Sequence, residues 1–134
     1  MRKIDDEIKN GNDCQFITRK KANKDILTHF EQLLDGYFFS DNPKRIGTPT
    51  VAWCADQLHL SPNYFGDLVK KKTGKTAIEH IQRKMMDTAK DYLIQTNKSI
   101  SVIAYSLGYQ YPQYFSRAFK KATGQTPNEY RMAD

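Results

Sequence analysis

The side chains with most to offer chemically are cations, and they fall in two matching groups. Lys70, Lys71, Lys72 and Lys75 lie in one short stretch and Lys120 and Lys121 in another; both stretches read Lys-Lys-x-Thr-Gly-x-Thr. Ammonium groups clustered in this way suit contacts to phosphate and are poor readers of a base edge. Little else in the chain points to chemistry of its own. Cys14 and Cys54 stand 40 residues apart, which gives neither a disulfide framework nor the spacing of metal ligands. His29, His59 and His80 are isolated from one another and from acids at ligand spacing, and no nucleophile has a base at a recognisable distance in sequence. A non-enzymatic chain with no cofactor and no metal is the expectation.

The charge balance sharpens this once it is divided along the chain. Residues 1–49 carry nine Lys/Arg against eight Asp/Glu, whereas residues 50–131 carry twelve against six. The excess behind the net charge of +6 therefore sits where the lysine clusters are, and a localised basic excess points to a polyanionic partner. Apolar residues, at 39%, are enough for one compact module. No run is long enough for a membrane span and no secretory leader opens the chain, so a cytoplasmic protein with no membrane partner is expected.

The elements that must carry these cations read as helices throughout. Ile26, Leu27, Phe30, Leu33, Leu34 and Tyr37 recur at three- and four-residue spacing within 23–39, with Asn23 as a candidate N-cap. Asp41, Asn42, Pro43 and Gly47 then read as a linker. Thr48-Pro49 and Ser61-Pro62 each offer an N-cap followed by proline at the first helical position. Thr76 with Glu79, and Thr126 with Glu129, form capping boxes; Gly74 and Gly124 suit left-handed helix ends. Helices are expected at about 49–57, 61–72, 77–96, 99–107, 112–122 and 127–132, and no segment alternates like a strand. Residues 1–22 are expected to be flexible or truncated.

The chain also repeats itself. Val51–Leu60 aligns with Ile100–Tyr109 at an offset of 49, pairing Cys54 with Ile103, Ala55 with Ala104 and Leu58 with Leu107. Past the turn the offset is 50, which means one extra residue in the second copy. From Pro62 to Glu79 and from Pro112 to Glu129, nine of eighteen positions are identical. Ala55 and Ala104 let a first helix lie close to its neighbour, and a short turn follows. A second helix then starts at proline, with Tyr64-Phe65 or Tyr114-Phe115 expected inward. That is a helix-turn-helix whose second helix is free to enter a major groove, present twice. Cys54, aligned with Ile103, is expected in the core, and Trp53 is expected to pack.

The second copy resembles the DNA-binding domain of the AraC/XylS family of bacterial transcription regulators. The resemblance rests on Ile103-Ala104, Leu107-Gly108-Tyr109, Tyr114-Phe115-Ser116-Arg117, Phe119-Lys120-Lys121, Thr123-Gly124, Thr126-Pro127 and Tyr130-Arg131, and spans about residues 48–131. It implies an all-α fold of two helix-turn-helix subdomains joined by a long central helix, preceded here by an extra N-terminal helix. The expected divisions are 1–22, the N-terminal helix and linker 23–47, the first unit 48–76, the connecting helix 77–98 and the second unit 99–134. In the connecting helix Ile78, Ile81, Met85, Ala89 and Leu93 are expected to pack both ways. The implied function is sequence-specific binding of double-stranded DNA through the major groove, regulating transcription. RNA polymerase is a further implied partner. A sensing or dimerising domain, usual in the family, is expected to be absent, leaving either a fragment or a stand-alone regulator.

By this resemblance Asn63, Gly66 and Asp67 are the base-facing positions of the first unit, and Gln113, Ser116 and Arg117 those of the second. Asn and Gln suit adenine, and the Arg117 guanidinium matches guanine O6 and N7. Gly66 has no side chain to read with. Asp67 either accepts from cytosine or pairs with a lysine, or else it is repelled by phosphate and its helix positions more than it reads. Lys70, Lys71, Lys72, Lys75, Lys120 and Lys121 are the expected phosphate contacts, with helix starts near Ser61, Thr76 and Ser99 adding amides. Tyr111 is a poor N-cap for the second recognition helix. Two rival readings are a DNA-repair enzyme, since some relatives of this module are fused to enzymes with zinc-bound cysteines, and a protein-interaction module built on the 23–39 helix.

Overall fold

A computed structural model describes residues 19–133, and side chains from residue 25 onward. Eight helices and no strand occur among the described residues: α1 (Arg19–Tyr37), α2 (Asn42–Arg45), α3 (Val51–Gln57), α4 (Pro62–Thr73), α5 (Ala77–Gln95), α6 (Ile100–Ser106), α7 (Pro112–Thr123) and α8 (Pro127–Met132). The pairs α3–α4 and α6–α7 are the two helix-turn-helix units. Between them, α5 packs against α1, α3, α4, α6 and α8.

Local chemistry sets most boundaries. Ser61 Oγ accepts from the Tyr64 amide at 3.2 Å and so starts α4. Thr76 and Thr126 each accept from the Glu three residues on at 3.1 Å, while Glu79 and Glu129 reach back to the threonine amides at 2.8 Å. These are complete capping boxes. Gly74 and Gly124 close α4 and α7 at φ 79° and 84°, in the left-handed region that costs glycine nothing.

Several expectations are corrected. Thr48-Pro49 does not open α3: the cap is Thr50, whose Oγ1 accepts from the Trp53 amide at 3.0 Å, and the helix begins at Val51. Asn23 is not an N-cap, because α1 already runs from Arg19, so 19–22 are helical as well. The 41–47 stretch is not wholly linker but contains α2, with Pro43 in its first turn, where a missing amide costs nothing. Thr96 is the cap after α5 and not part of it. Ile78 does not pack inward; it is 54% exposed. The rest of the expected flexible segment, residues 1–18, lies outside the described residues.

One continuous core joins both units and α1. It includes Phe30, Leu34 and Tyr37 from α1, Phe65 and Val69 from α4, Ile81, Ala89 and Leu93 from α5, and Ile103, Leu107, Phe115 and Phe119 from the second unit. In the second unit Phe115 meets Tyr109 and Phe119, at ring separations of 5.6 and 5.8 Å. The first unit has Val69 where the second has Phe119, and its aromatic partner comes from α1: Phe30 meets Phe65 edge-on at 4.9 Å. The N-terminal helix is thus a structural part of the first unit. Trp53 packs edge-on against Tyr37 at 4.9 Å.

Candidate nucleic-acid interface

Each recognition helix has a buried face that fixes which residues remain outside. On α4, Phe65, Leu68 and Val69 are buried; on α7, Phe115 and Phe119 are. Asn63 and Asp67 are consequently exposed on α4, and Gln113 and Arg117 on α7, while Gly66 and Ser116 at equivalent positions are partly covered. A Cβ added to Gly66 would meet nothing within 4 Å, so its lack of a side chain is not dictated by packing. The six lysines expected at phosphates, Lys70, Lys71, Lys72, Lys75, Lys120 and Lys121, are all exposed at or just past the ends of α4 and α7. Two copies of one surface therefore exist, each with polar side chains on a helix and lysines beyond it.

Tyr64 and Tyr114 are a correction. Neither points inward, as the shared Tyr-Phe pair would imply. They are 48% and 49% exposed, beside the Asn63–Asp67 and Gln113–Arg117 rows. The helical period explains it: Phe65, Leu68 and Val69 share one face at i, i+3 and i+4, and Tyr64, one position before Phe65, falls off its edge, as Tyr114 does beside Phe115 and Phe119. Their recurrence at the same place in both copies was a signal that they share the exposed face.

The helix starts differ from the amide sites envisaged. Ser61 and Ser99 already cap their own helices, with Ser99 Oγ accepting from the Val102 amide at 3.1 Å. The Thr76 amide is donated to Glu79, so a phosphate there would meet a carboxylate. Hydrogen bonds from Thr76 and Thr126 hold the Glu79 and Glu129 carboxyls below the usual carboxylate range; nearby lysines lower them further. Lys70 Nζ donates to the Gly74 carbonyl at 3.1 Å, which steadies the end of α4. Tyr111 supplies no side-chain cap; instead the Tyr114 amide bonds the Tyr111 carbonyl at 3.1 Å.

Two further residues escaped sequence reasoning. Arg131 donates through Nε to the Leu93 carbonyl at 2.9 Å and through Nη2 to the Thr96 carbonyl at 3.3 Å, tying α8 to the end of α5. His80 Nε2 lies 2.8 Å from Thr73 Oγ1 and its ring packs edge-on to Phe30, so it serves the first unit's packing. Cys54 is fully buried, and burial pushes its thiol up to about 11, which suits core packing and not nucleophilic attack. Among the described residues no helix is long and apolar enough to cross a membrane.

Comparison with known proteins agrees with this geometry. A family model described as "Helix-turn-helix domain" matches residues 54–133. The chain is 45% identical over 83 residues to the "Bifunctional transcriptional activator/DNA repair enzyme AdaA" of Bacillus subtilis, a match covering 62% of this chain and 39% of that protein. It is 31% identical over 81 residues to the "Arabinose operon regulatory protein" of Salmonella typhimurium, covering 60% of this chain and 29% of the relative. The chain thus matches well under half the length of either. Among solved structures, the C-terminal domain of AraT, a response regulator from Geobacillus stearothermophilus, superposes with a TM-score of 0.68 at 31% identity, covering 81% of this chain and 85% of that one. With its two capped helix-turn-helix units strung on α5, the chain belongs to the AraC/XylS family of helix-turn-helix proteins.

Proposed function

We propose that the chain binds double-stranded DNA sequence-specifically by placing α4 and α7 in successive major-groove segments, and that this binding regulates transcription. The observation that carries the reading is the duplicated exposed surface: Asn63 and Asp67 on one helix, Gln113 and Arg117 on the other, each followed by exposed lysines. Arg117 pairs with guanine and Gln113 with adenine, Ser116 adds a hydroxyl, and the lysines neutralise phosphates. The first helix reads less, since Gly66 has no side chain and Asp67 opposes phosphate; its role is chiefly positioning. RNA polymerase is the partner that transcriptional control implies. The chain itself is not catalytic in this reading, although one relative's name includes DNA repair; the burial of Cys54 supports that.

Titration of a fluorescent random-sequence duplex at increasing salt tests the reading. Six lysines and Arg117 correspond to roughly 6–8 neutralised phosphates and a log–log slope of about −5 to −7. A slope shallower than about −2, or no binding at low salt, sinks it. Selection of sites from random duplexes is expected to return asymmetric sequences with half-site centres about 10 bp apart.

A further inference from the structure

We propose that α2 carries a further DNA-backbone contact, in which Lys44 and Arg45 hold phosphates beside the second recognition helix. This rests on the DNA-binding reading above. Over residues 25–49 the chain is acidic, with Asp25, Glu31, Asp35 and Asp41 against only two cations. Those two are adjacent, and both are exposed on α2. Among the described residues neither is in an ion pair, whereas Asp35 is bridged to Lys84. Arg45 is steadied by a 3.4 Å contact from Nη2 to Asn42 Oδ1, which leaves most of its donors free.

What turns two surface cations into a site is where the fold holds them. α2 packs on α6, and Lys44 and Arg45 line an open cleft of about 770 Å³ together with Gln110 and Tyr114 of the second unit. Gln110 is the residue inserted in the second turn, and Tyr114 stands in the first turn of α7 between Gln113 and Arg117. In a helix-turn-helix unit the second helix puts its N-terminal residues on base edges while the first helix, here α6, crosses the sugar-phosphate backbone, and α2 packs on α6. The cleft therefore opens where phosphates run.

The placement is also rigid. Tyr37 Oη donates to the Gly47 carbonyl at 2.6 Å, and the Gly47–Thr48 backbone lies against Gly108, leaving no room for a Cβ there. α2 is thus pinned at its C-terminal side to the turn of the second unit. Charge gives a reason for the arrangement. The first unit has Lys70, Lys71, Lys72 and Lys75, but the second has Ala122 and Gln125 in place of the last two. Lys44 and Arg45 restore four cations to the second unit, at the opposite end of its recognition helix.

The test compares the full chain with Lys44→Gln/Arg45→Gln and with the charge-retaining Lys44→Arg/Arg45→Lys, on a random-sequence duplex and on the chain's own selected site. Loss of two phosphate contacts is expected to flatten the salt slope by about 1.8 and to weaken binding to both duplexes by up to about sixty-fold at 0.1 M salt. Site preference and melting temperature stay as in the parent, and the charge-retaining variant binds as the parent does. Ethylation of phosphates next to the base pair that depends on Arg117 then no longer interferes with binding. A steep parental slope with the glutamine variant superimposed on it would overturn the inference alone. If the parent chain does not bind duplex DNA, the underlying reading fails with it.

Discussion

The two turns share one backbone but spell it with different residues. In the first, the Leu60 amide bonds the Ala55 carbonyl at 2.9 Å and the His59 amide bonds Asp56; in the second, Tyr109 bonds Ala104 at 3.1 Å and Gly108 bonds Tyr105. Both are Schellman endings, which need a left-handed residue just past the helix. His59 takes that conformation at φ 59° and Gly108 at φ 98°. His59 is exposed, so a side chain there costs only the conformational preference. A Cβ on Gly108 would come within 2.4 Å of the Gly47 carbonyl group. The second turn is therefore a docking surface for the chain entering the first unit, whereas the first turn is only a turn.

The sharpest way to break that comparison is to exchange the two residues' freedoms. Gly108→Ala is expected to destabilise the fold by about 3–5 kcal/mol, from left-handed strain plus displacement of backbone that cannot move like a side-chain tip. His59→Gly is expected to be stabilising or neutral, within about 1 kcal/mol. Urea unfolding followed by circular dichroism measures both. A Gly108→Ala chain as stable as the parent would mean that the Gly47–Gly108 contact yields easily and that the two turns are equivalent after all.

At one aligned position the recognition helices carry opposite charges: Asp67 in the first is Arg117 in the second. Arg117→Ala is expected to cost about 1–3 kcal/mol on the selected site and much less on random DNA. Asp67→Ala is expected to tighten binding to both duplexes alike, by severalfold at low salt, because it removes a charge opposing phosphate. Equal losses for Arg117→Ala on both duplexes would reduce α7 to a backbone grip. A base preference that relaxes in Asp67→Ala would make α4 a reader as well.

These contrasts also mark how far the sequence speaks. Helix starts and ends were legible wherever one residue makes the feature, as at Ser61, at Thr76 and Thr126, and at Gly74 and Gly124, because capping is local chemistry. The repeat was legible because identities survive at helix ends and at Phe65 and Phe115. Thr48-Pro49 misled, since Thr50 is an equally good cap two residues on and its hydroxyl is the one that accepts from the Trp53 amide. The exposure of Tyr64 and Tyr114 was obscured by their pairing with buried phenylalanines. The role of α1 needed tertiary structure: nothing local says that Phe30 fills beside Val69 what Phe119 fills in the other copy. The Lys44–Arg45 placement is invisible for the same reason, because a contact across about 60 residues brings α2 to Gly108.

A smaller contrast lies at the starts of α4 and α7. Ser61 caps its helix, but the inserted Gln110 leaves Tyr111 at the equivalent place without a side-chain cap. Tyr111→Ser is expected to stabilise the chain by about 1 kcal/mol, less what is lost from the 5.4 Å edge-on contact of Tyr111 with Tyr114, and Ser61→Ala to destabilise it by about the same amount. If Tyr111→Ser lowers the melting temperature, the tyrosine pair holds the turn and the missing cap is compensated.

The smallest effect concerns a feature in which the copies agree, the two capping boxes. Glu79 and Glu129 both have carboxyls held below their ordinary range, first by the backbone hydrogen bond and then by the hydroxyl of Thr76 or Thr126. A carboxyl whose folded value lies below its unfolded one contributes stability that is complete above the unfolded value. That contribution disappears as pH falls through the folded value, so acid is expected to weaken both boxes in the lower carboxylate range. The copies part only in their neighbours: Lys70 and Lys75 lower Glu79, whereas Lys120 alone lowers Glu129. Glutamine at either position can still close the box but cannot titrate. Melting temperatures from neutral to acid pH should therefore fall less in Glu79→Gln/Glu129→Gln than in the parent. Of the single variants, Glu79→Gln should remove the larger and more salt-sensitive share, because surface lysines are screened. Parallel melting curves for parent and double variant across that range would mean that the boxes do not couple folding to protons, and that the lysines beside them do not act on these carboxyls.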